Sequence, residues 1–184
     1  MTSKAREVLD DCRLALEILE EEKDLRRWRL TWFAAITLAR AVGHVLDKVD
    51  ARSDPELNVL SREAYKRWNG MAPEHEIFRE FIDKERNTIV KEYQFNVHPT
   101  DEVQVALMTT LRPVGGGPDI RHAEVFPIGD NIYRPILGGY REGDDARDVL
   151  SEAIAWWENE LGLLEAKLRE RKGSTEPLAK GAAR

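Results

Sequence analysis

The chain is predicted to be a mainly α protein, an up-and-down bundle of four to five helices with a β-hairpin or small meander inserted before a long last helix. Apolar residues recur at three- and four-residue steps over most of the chain, which is the helical period. They alternate at the strand period only between about residues 95 and 143. A length of 184 residues with 42% hydrophobic content suits one domain that builds its own core.

The first helix is predicted over about Ser3 to Glu22, where an apolar stripe is continuous. Extending that stripe would place Lys23, Arg26 and Arg27 in the core, so the helix must end near Lys23. Cys12 is the only cysteine, so an intrachain disulfide is excluded, and its place in the stripe makes it a small buried hydrophobe. The stripe consists of Ala5, Val8, Leu9, Cys12, Ala15, Leu16 and Leu19.

The second helix, about Leu25 to Val49, is apolar nearly all round, as expected of a central helix. Arg40 and His44 lie one turn apart on it. They are either structural core groups or members of a ligand-binding or active site. Small residues at four-residue spacing form a narrow groove that a neighbouring helix can approach, at Ala35, Ala39 and Gly43.

Two further helices are predicted, over about Pro55 to Trp68 and about Pro73 to Tyr93. Pro73 suits a first helical position, where the missing N–H costs nothing. Along the fourth helix, Glu85 falls within an apolar stripe, and an unpaired buried carboxylate is costly. We therefore predict that Glu85 pairs with Arg40 across the core. The stripe consists of Phe78, Ile82, Ile89 and Tyr93.

Strands are predicted in the block from about 95 to 143. Val103, Val105 and Leu107 alternate with polar or small residues, the segment 123–125 repeats the pattern, and 131–137 would add a third strand. The glycine run between Pro113 and Pro118 is a turn or flexible loop. It lacks the Lys-Ser/Thr of a phosphate-binding loop.

The last helix is predicted over about Asp144 to Arg171, with a coiled-coil-like seam that packs along the bundle or against a second subunit. Trp156 and Trp157 are adjacent, so one of them is expected to face outward or into a partner chain, which favours a homodimer. Residues 1–171 would form the single domain and 172–184 a disordered tail. The seam consists of Leu150, Ile154, Trp157, Leu161, Leu164 and Leu168.

Composition excludes several classes of function. A net charge of −6 opposes nucleic-acid binding by bulk electrostatics, although a local basic patch could still bind RNA. The four histidines are scattered and none has a second ligand at metal-binding spacing, so we expect neither a metal nor a cofactor. No apolar run has the length of a membrane span and no apolar signal core is visible, so we expect no membrane association and a cytoplasmic location.

Arg86 and Asn87 carry a family resemblance. A helical bundle with Arg followed by Asn late in a core helix resembles the HEPN superfamily, whose members are all-helical, commonly dimeric and often RNA-cleaving toxins or defence nucleases. Their motif continues from the Arg, after four to six residues, to a His. Here that window runs from Lys91 to Tyr93 and holds no His; the next is His98. The resemblance implies a helical module with an association with toxin–antitoxin or defence systems, and the missing His removes one of the two motif side chains.

The leading hypothesis is therefore a non-catalytic, HEPN-like interaction or binding module, expected to be a homodimer and open to a protein or RNA partner. One rival is a HEPN-type ribonuclease with a non-standard active site that uses Arg86 with His44. Another is a small-ligand binding protein with a pocket between the bundle and the β block, lined by Trp28, Trp32, Tyr93 and Trp157. The candidate polar cluster consists of Arg40, His44, Glu85, Arg86 and Asn87.

Overall fold

The computed structural model describes residues 2–97, 102–131 and 133–175, and these form a helical bundle with one β-hairpin before the last helix. The predicted fold class is confirmed. The hairpin consists of β1 (Glu102–Leu111) and β2 (Ile120–Asp130), paired antiparallel. The helices are α1 (Ser3–Glu21), α2 (Leu25–Lys48), α3 (Pro55–Trp68), α4 (Lys84–Glu92) and α5 (Ala146–Thr175).

Aspartates cap the first three helices, which explains why these begin where the sequence indicates. Asp24 and Asp54 each accept a hydrogen bond from the backbone N–H three residues on, at the starts of α2 and α3. The start of α1 is capped from a distance, because the buried carboxylate of Asp50 accepts from the backbone N–H of Ala5 over 2.9 Å. A 3₁₀ turn, Asp50–Ser53, holds that aspartate between α2 and α3.

The seam of α5 packs inside the chain. All six seam residues, Leu150 to Leu168, are buried in the core shared with α1 and α3. The small-residue groove of α2 is also occupied, because a Cβ atom at Gly43 would lie 2.9 Å from Cη2 of Trp157. Both surfaces that the sequence offered to a second subunit are thus used within one subunit.

The expectation that Trp156 or Trp157 faces outward is wrong. Trp157 is fully buried, and Trp156 is partly buried against the same core. The Trp156 ring stacks on Phe78 with centroids 5.5 Å apart, and its Nε1 donates to the carbonyl of Glu74 over 3.0 Å. Both tryptophans pack on one core because the segment that precedes α4, which contains Glu74 and Phe78, covers Trp156.

The segment predicted as one helix from Pro73 to Tyr93 has three parts. A 3₁₀ turn, Pro73–His75, is followed by a π-helix, Ile77–Asp83, and then by α4. A π-helix holds more residues per turn than an α-helix, so it changes which later side chains face the core. Tyr93 ends α4 in the left-handed conformation (φ 51°) with its side chain 60% exposed, and so leaves the predicted stripe.

Where a third strand was predicted at 131–137, the described residues 131 and 133–137 form only isolated β-bridges, at Pro135 and Ile136, and this segment fastens the hairpin to the bundle. Asn131 donates to the carbonyl of Leu19 over 3.0 Å at the end of α1. The guanidinium of Arg134, which is fully buried, lies 4.9 Å from the ring centroid of Trp28. Asp145 accepts from the backbone N–H of Arg134 over 3.0 Å.

Helix α5 continues to Thr175, beyond the predicted end at Arg171, and so includes the start of the predicted disordered tail. The rest of that tail, 176–184, lies outside the described residues, as does His98. Among the helices of the described chain, none combines the length and the apolar character that a bilayer crossing requires.

Candidate functional site

A polar cluster between α2 and α4 is built around Asp83, the last residue of the π-helix. Arg40 Nε donates to Oδ1 of Asp83 over 2.6 Å, and Asn87 Nδ2 donates to Oδ2 over 3.1 Å. Arg86 Nη1 donates in turn to Oδ1 of Asn87 over 2.9 Å. Four side chains are thereby joined in one hydrogen-bonded chain, and three of them belong to the cluster predicted from sequence.

His44 lies one helical turn beyond Arg40 on α2 and has an exposed side chain. Partial loss of solvent lowers the pKa of His44, and the positive charges of Arg40 and Arg86 lower it further, against a weaker opposite effect of Asp83. The imidazole is therefore neutral at about pH 7, where an ordinary histidine is already mostly neutral.

The predicted ion pair between Arg40 and Glu85 is wrong, because Asp83 takes the arginine. Glu85 is buried as expected, at 7% exposure, and its Oε1 accepts two N–H groups. Trp32 Nε1 donates to this oxygen over 3.4 Å and the backbone N–H of Asn96 over 3.2 Å. The π-helix places Asp83, rather than Glu85, toward Arg40.

A cleft of about 480 Å³ lies between α2 and α3, and we refer to it as the α2–α3 cleft. Arg40, His44 and Lys48 line it at four-residue spacing along α2. Arg62 and Lys66, also four residues apart, line it from α3. Because residues four apart lie on one helix face, the two helices turn rows of basic side chains toward the same space.

Aromatic side chains form the floor and one wall of the α2–α3 cleft. Trp68 and Phe78 are buried, with ring centroids 5.6 Å apart. The Tyr65 ring meets Phe78 edge-on at 6.4 Å and is 50% exposed. Tyr65 is thus the aromatic ring of this cleft that a ligand can reach with one face.

The α2–α3 cleft has excess positive charge. Asp83 neutralises Arg40, and Asp47 lies 2.7 Å from Lys48 Nζ. Arg62 and Lys66 have no ion-pair partner in the described part of the chain. In a protein with a net charge of −6, this is a local reversal of sign.

A second concavity of about 310 Å³, the Glu85 pocket, separates the π-helix and α4 from segments 94–97 and 136–140. Its floor and walls contain four aromatic rings, and Asn96 donates its side-chain N–H to the carbonyl of Gly138, which joins the two segments. The aromatic lining residues are Trp32, Phe81, Phe95 and Tyr140.

Burial raises the pKa of Glu85 above its ordinary value, and the hydrogen bonds from Asn96 and Trp32 only partly oppose this. Both of those donors bind Oε1; among the described residues none donates to Oε2. Lys84, a neighbour in the lining, is directed to Glu80, with Nζ 3.5 Å from Oε2 of that residue. Glu85 is therefore a buried carboxylate without a cation.

Of the four aromatics predicted to line a pocket, Trp32 does so. Trp28 stacks behind it, with centroids 5.5 Å apart and planes at 10°. Tyr93 is exposed and meets Phe95 edge-on, and Trp157 lies in the core beneath the α2–α3 cleft. The Glu85 pocket thus shares one residue, Trp32, with the predicted lining.

Sequence reasoning missed the basic side chains of α3 and the rings of the Glu85 pocket. The four-residue spacing of Arg62 and Lys66 is a visible signal, parallel to that of Arg40, His44 and Lys48. No comparable signal exists for Phe81, Phe95 and Tyr140, because they come from three separate segments that only tertiary folding brings together.

The described residues contain no group of three or more His, Cys, Asp or Glu side chains arranged to hold a metal ion. Neither a family model nor a curated protein nor a solved structure matches this chain. The two concavities and the polar cluster are therefore the features of the molecule that bear on its function.

Proposed function

We propose that the protein is a non-catalytic, HEPN-like helical binding module whose α2–α3 cleft binds the phosphate groups of single-stranded RNA. The observation that carries the proposal is the pair of unpartnered cations, Arg62 and Lys66, which face the basic row of α2 across one cleft. Lysine and arginine neutralise phosphates, and a neutral His44 at the same wall adds a hydrogen-bonding group.

The shape of the cleft suits a single strand. From Arg40 to Lys48 the α2 row extends over about 12 Å, since each residue advances the helix by about 1.5 Å. The exposed face of Tyr65 offers a surface on which an unpaired base can stack, and such stacking is tolerant of sequence. The overall negative charge disfavours binding elsewhere on the surface, so contacts should concentrate in the cleft.

Binding without cleavage is supported by the position of Arg86. Its guanidinium is engaged by Asn87 and, within the described residues, lines neither the α2–α3 cleft nor the Glu85 pocket. His44 lines the cleft and Arg86 does not, although the charge of Arg86 is near enough to lower the pKa of His44. A general base without a second positioned group is a weak catalyst of RNA cleavage.

Fluorescence anisotropy with a labelled single-stranded RNA tests the proposal. The double variant Arg62→Ala/Lys66→Ala should lose about tenfold or more in affinity. The control Arg26→Ala/Lys167→Ala removes the same charge from exposed positions on α2 and α5 outside the cleft, and it should bind like the wild type. With about three phosphates contacted, log K should fall with log[salt] at a slope of about −2. Equal losses in the two double variants would contradict a specific cleft.

The proposed module is a homodimer, and the hairpin provides the surface for it. None of the described side chains from Gln104 to Phe126 is buried. Val105 faces Phe126 across the two strands and Leu111 faces Ile120, so these residues share one face with Leu107. The same face also carries Thr109, His122 and Glu124. A two-stranded hairpin with uncovered apolar side chains is marginal on its own, and the same face of a second copy can cover them with two-fold symmetry.

A further inference from the structure

We propose that the Glu85 pocket binds a small organic cation, with a primary or methylated ammonium group held between the free oxygen of Glu85 and the surrounding aromatic rings. This goes beyond the proposed RNA-binding function, because the pocket lies on a different side of the π-helix from the α2–α3 cleft and uses none of its side chains.

The first support is the state of Glu85. A carboxylate that is 93% withdrawn from solvent is costly unless a positive charge or several hydrogen bonds compensate it. Here two donors, both long, converge on Oε1, at 3.4 Å from Trp32 and 3.2 Å from Asn96. Oε2 receives no donor from the described residues, although the residue lines the pocket.

No cation of the described chain forms an ion pair with the carboxylate of Glu85. Arg40, the arginine that the sequence suggested, binds Asp83 instead. Lys84 is directed along its own helix to Glu80. Glu80 and Lys84 both line the pocket and offset each other, so the uncompensated charge of the lining is that of Glu85. The cation that pairs with Glu85 is therefore one that enters the pocket from solution.

The second support is the aromatic lining. Phe81 stands between Trp32 and Tyr140, with ring centroids 6.2 Å and 6.4 Å away. The faces of aromatic rings attract cations, most strongly in sites from which water is excluded, and aromatic cages of this kind recognise ammonium groups. Phe95 adds a further ring from the segment opposite.

The size and remaining polarity of the pocket limit the ligand. A space of about 310 Å³ is at the small end of ligand pockets, which suits a molecule of a few carbon atoms. Thr88 and Gln94 line it and can hydrogen-bond a hydroxyl or a second amine of the ligand.

Isothermal titration calorimetry of the full chain with choline and with putrescine tests this proposal, alongside 3,3-dimethylbutan-1-ol, which has the shape of choline without its charge. At least one of the two cations should bind, and the neutral alcohol should bind about tenfold more weakly than choline or not at all. Glu85→Gln keeps the acceptor for Trp32 and Asn96 and removes the charge; it should weaken cation binding by about tenfold.

The matched control is Glu92→Gln, which removes an exposed carboxylate of α4 that does not line the Glu85 pocket; it should leave binding unchanged. The comparison of choline with the alcohol uses the wild-type protein, so it remains decisive even if the Glu85 variant folds poorly. Choline that binds no more tightly than the alcohol, no binding of either cation at millimolar concentration, or full binding by a folded Glu85→Gln protein would each overturn the proposal. Loss of RNA binding would leave it unaffected.

Discussion

Arg40 binds Asp83, with Nε 2.6 Å from Oδ1, across the contact between α2 and the π-helix. The arginine side chain is 11% exposed, and its guanidinium also lies over the Phe78 ring, 5.4 Å from the centroid. This pairing determines which groups remain to contact Glu85, two residues further along the chain. Since Arg40 is bound to Asp83, Glu85 is left to the hydrogen bonds of Trp32 and Asn96 and to the pocket.

The absence of an ion pair at Glu85 gives a pH-dependent stability. Burial raises the pKa of this carboxyl above its ordinary value of 4.5, so the folded protein holds the proton more tightly than the unfolded chain. The stability linked to that proton is fully present below about pH 4.5 and is lost as the pH rises through the folded-state pKa. Glu85→Gln should remove this loss.

Urea unfolding at about pH 4.5 and pH 7 measures the effect. Relative to Glu85→Gln, the wild type should be less stable at the higher pH than at the lower, while Glu92→Gln should parallel the wild type. A difference between wild type and Glu85→Gln that is the same at both pH values would show that the carboxylate is not penalised by burial.

Asp145 should show the opposite dependence. Its burial alone would raise the pKa, but the hydrogen bonds from the Arg147 side chain, with Nη2 2.7 Å from Oδ2, and from the backbone of Arg134 and Arg147 hold it below the ordinary 3.8. The stability that it contributes is present above about pH 3.8 and is lost as the pH falls through the lower, folded-state pKa. Asp145→Asn should cost about 2 kcal/mol at neutral pH.

Denaturant unfolding at several pH values tests this, with Asp144→Asn as the control. Asp144 is the exposed neighbour, with its carboxylate 3.7 Å from Arg141. We expect the control to remain within about 0.5 kcal/mol of the wild type. If the loss of unfolding free energy in Asp145→Asn were the same in acid as at neutral pH, the charge of Asp145 would not be the source of its stabilising effect.

Catalysis is expected to be absent. Purified protein and its Arg86→Ala variant should release the same background amount of product from RNA, since Arg86 is bound to Asn87 and the His of the HEPN motif is missing. Gel analysis of labelled RNA incubated with each protein measures this. RNA cleavage by the wild type that disappears in both the Arg86→Ala and the His44→Ala proteins would instead support the ribonuclease hypothesis.

The homodimer is expected to depend on one face of the hairpin. Multi-angle light scattering should give twice the mass of one chain for the wild type and a single-chain mass for Leu107→Ser/Phe126→Ser, which makes that apolar face polar. Met108→Ser is the control, since Met108 is 71% exposed but points to the other face. A wild type that remains a single chain at high micromolar concentration would exclude the dimer.

Helices α2 and α3 were predictable because their determinants are local, and α1 because its apolar period is continuous, although its start is capped by the distant Asp50. Asp24, Asp54 and Pro55 mark helix starts within the sequence, and the apolar period defines the buried faces. The π-helix was not predictable. It depends on how Phe78 and Phe81 pack against rings from α2, α3 and α5, which are distant in sequence.

The candidate site was predictable to the same extent as the fold: its local features were predicted, and those that depend on tertiary folding were not. That Glu85 is buried follows from its place in an apolar stripe, which is a local property. Its partner was misassigned because the π-helix shifts the register by which Asp83 and Glu85 face α2. The Glu85 pocket depends on segments 94–97 and 136–140, whose irregular backbone has no periodicity from which an orientation can be inferred.

The contact between Gly43 and Trp157 has a consequence for how the α2–α3 cleft would meet its ligand. With Cη2 of Trp157 only 2.9 Å from where a Cβ would stand, the indole has no room to move toward α2, and it packs in turn against Trp68 at 5.0 Å. The floor of the cleft is therefore preorganised. Its ordering entropy is lost when the chain folds rather than on binding, so an incoming ligand needs to order only the long basic side chains at the rim.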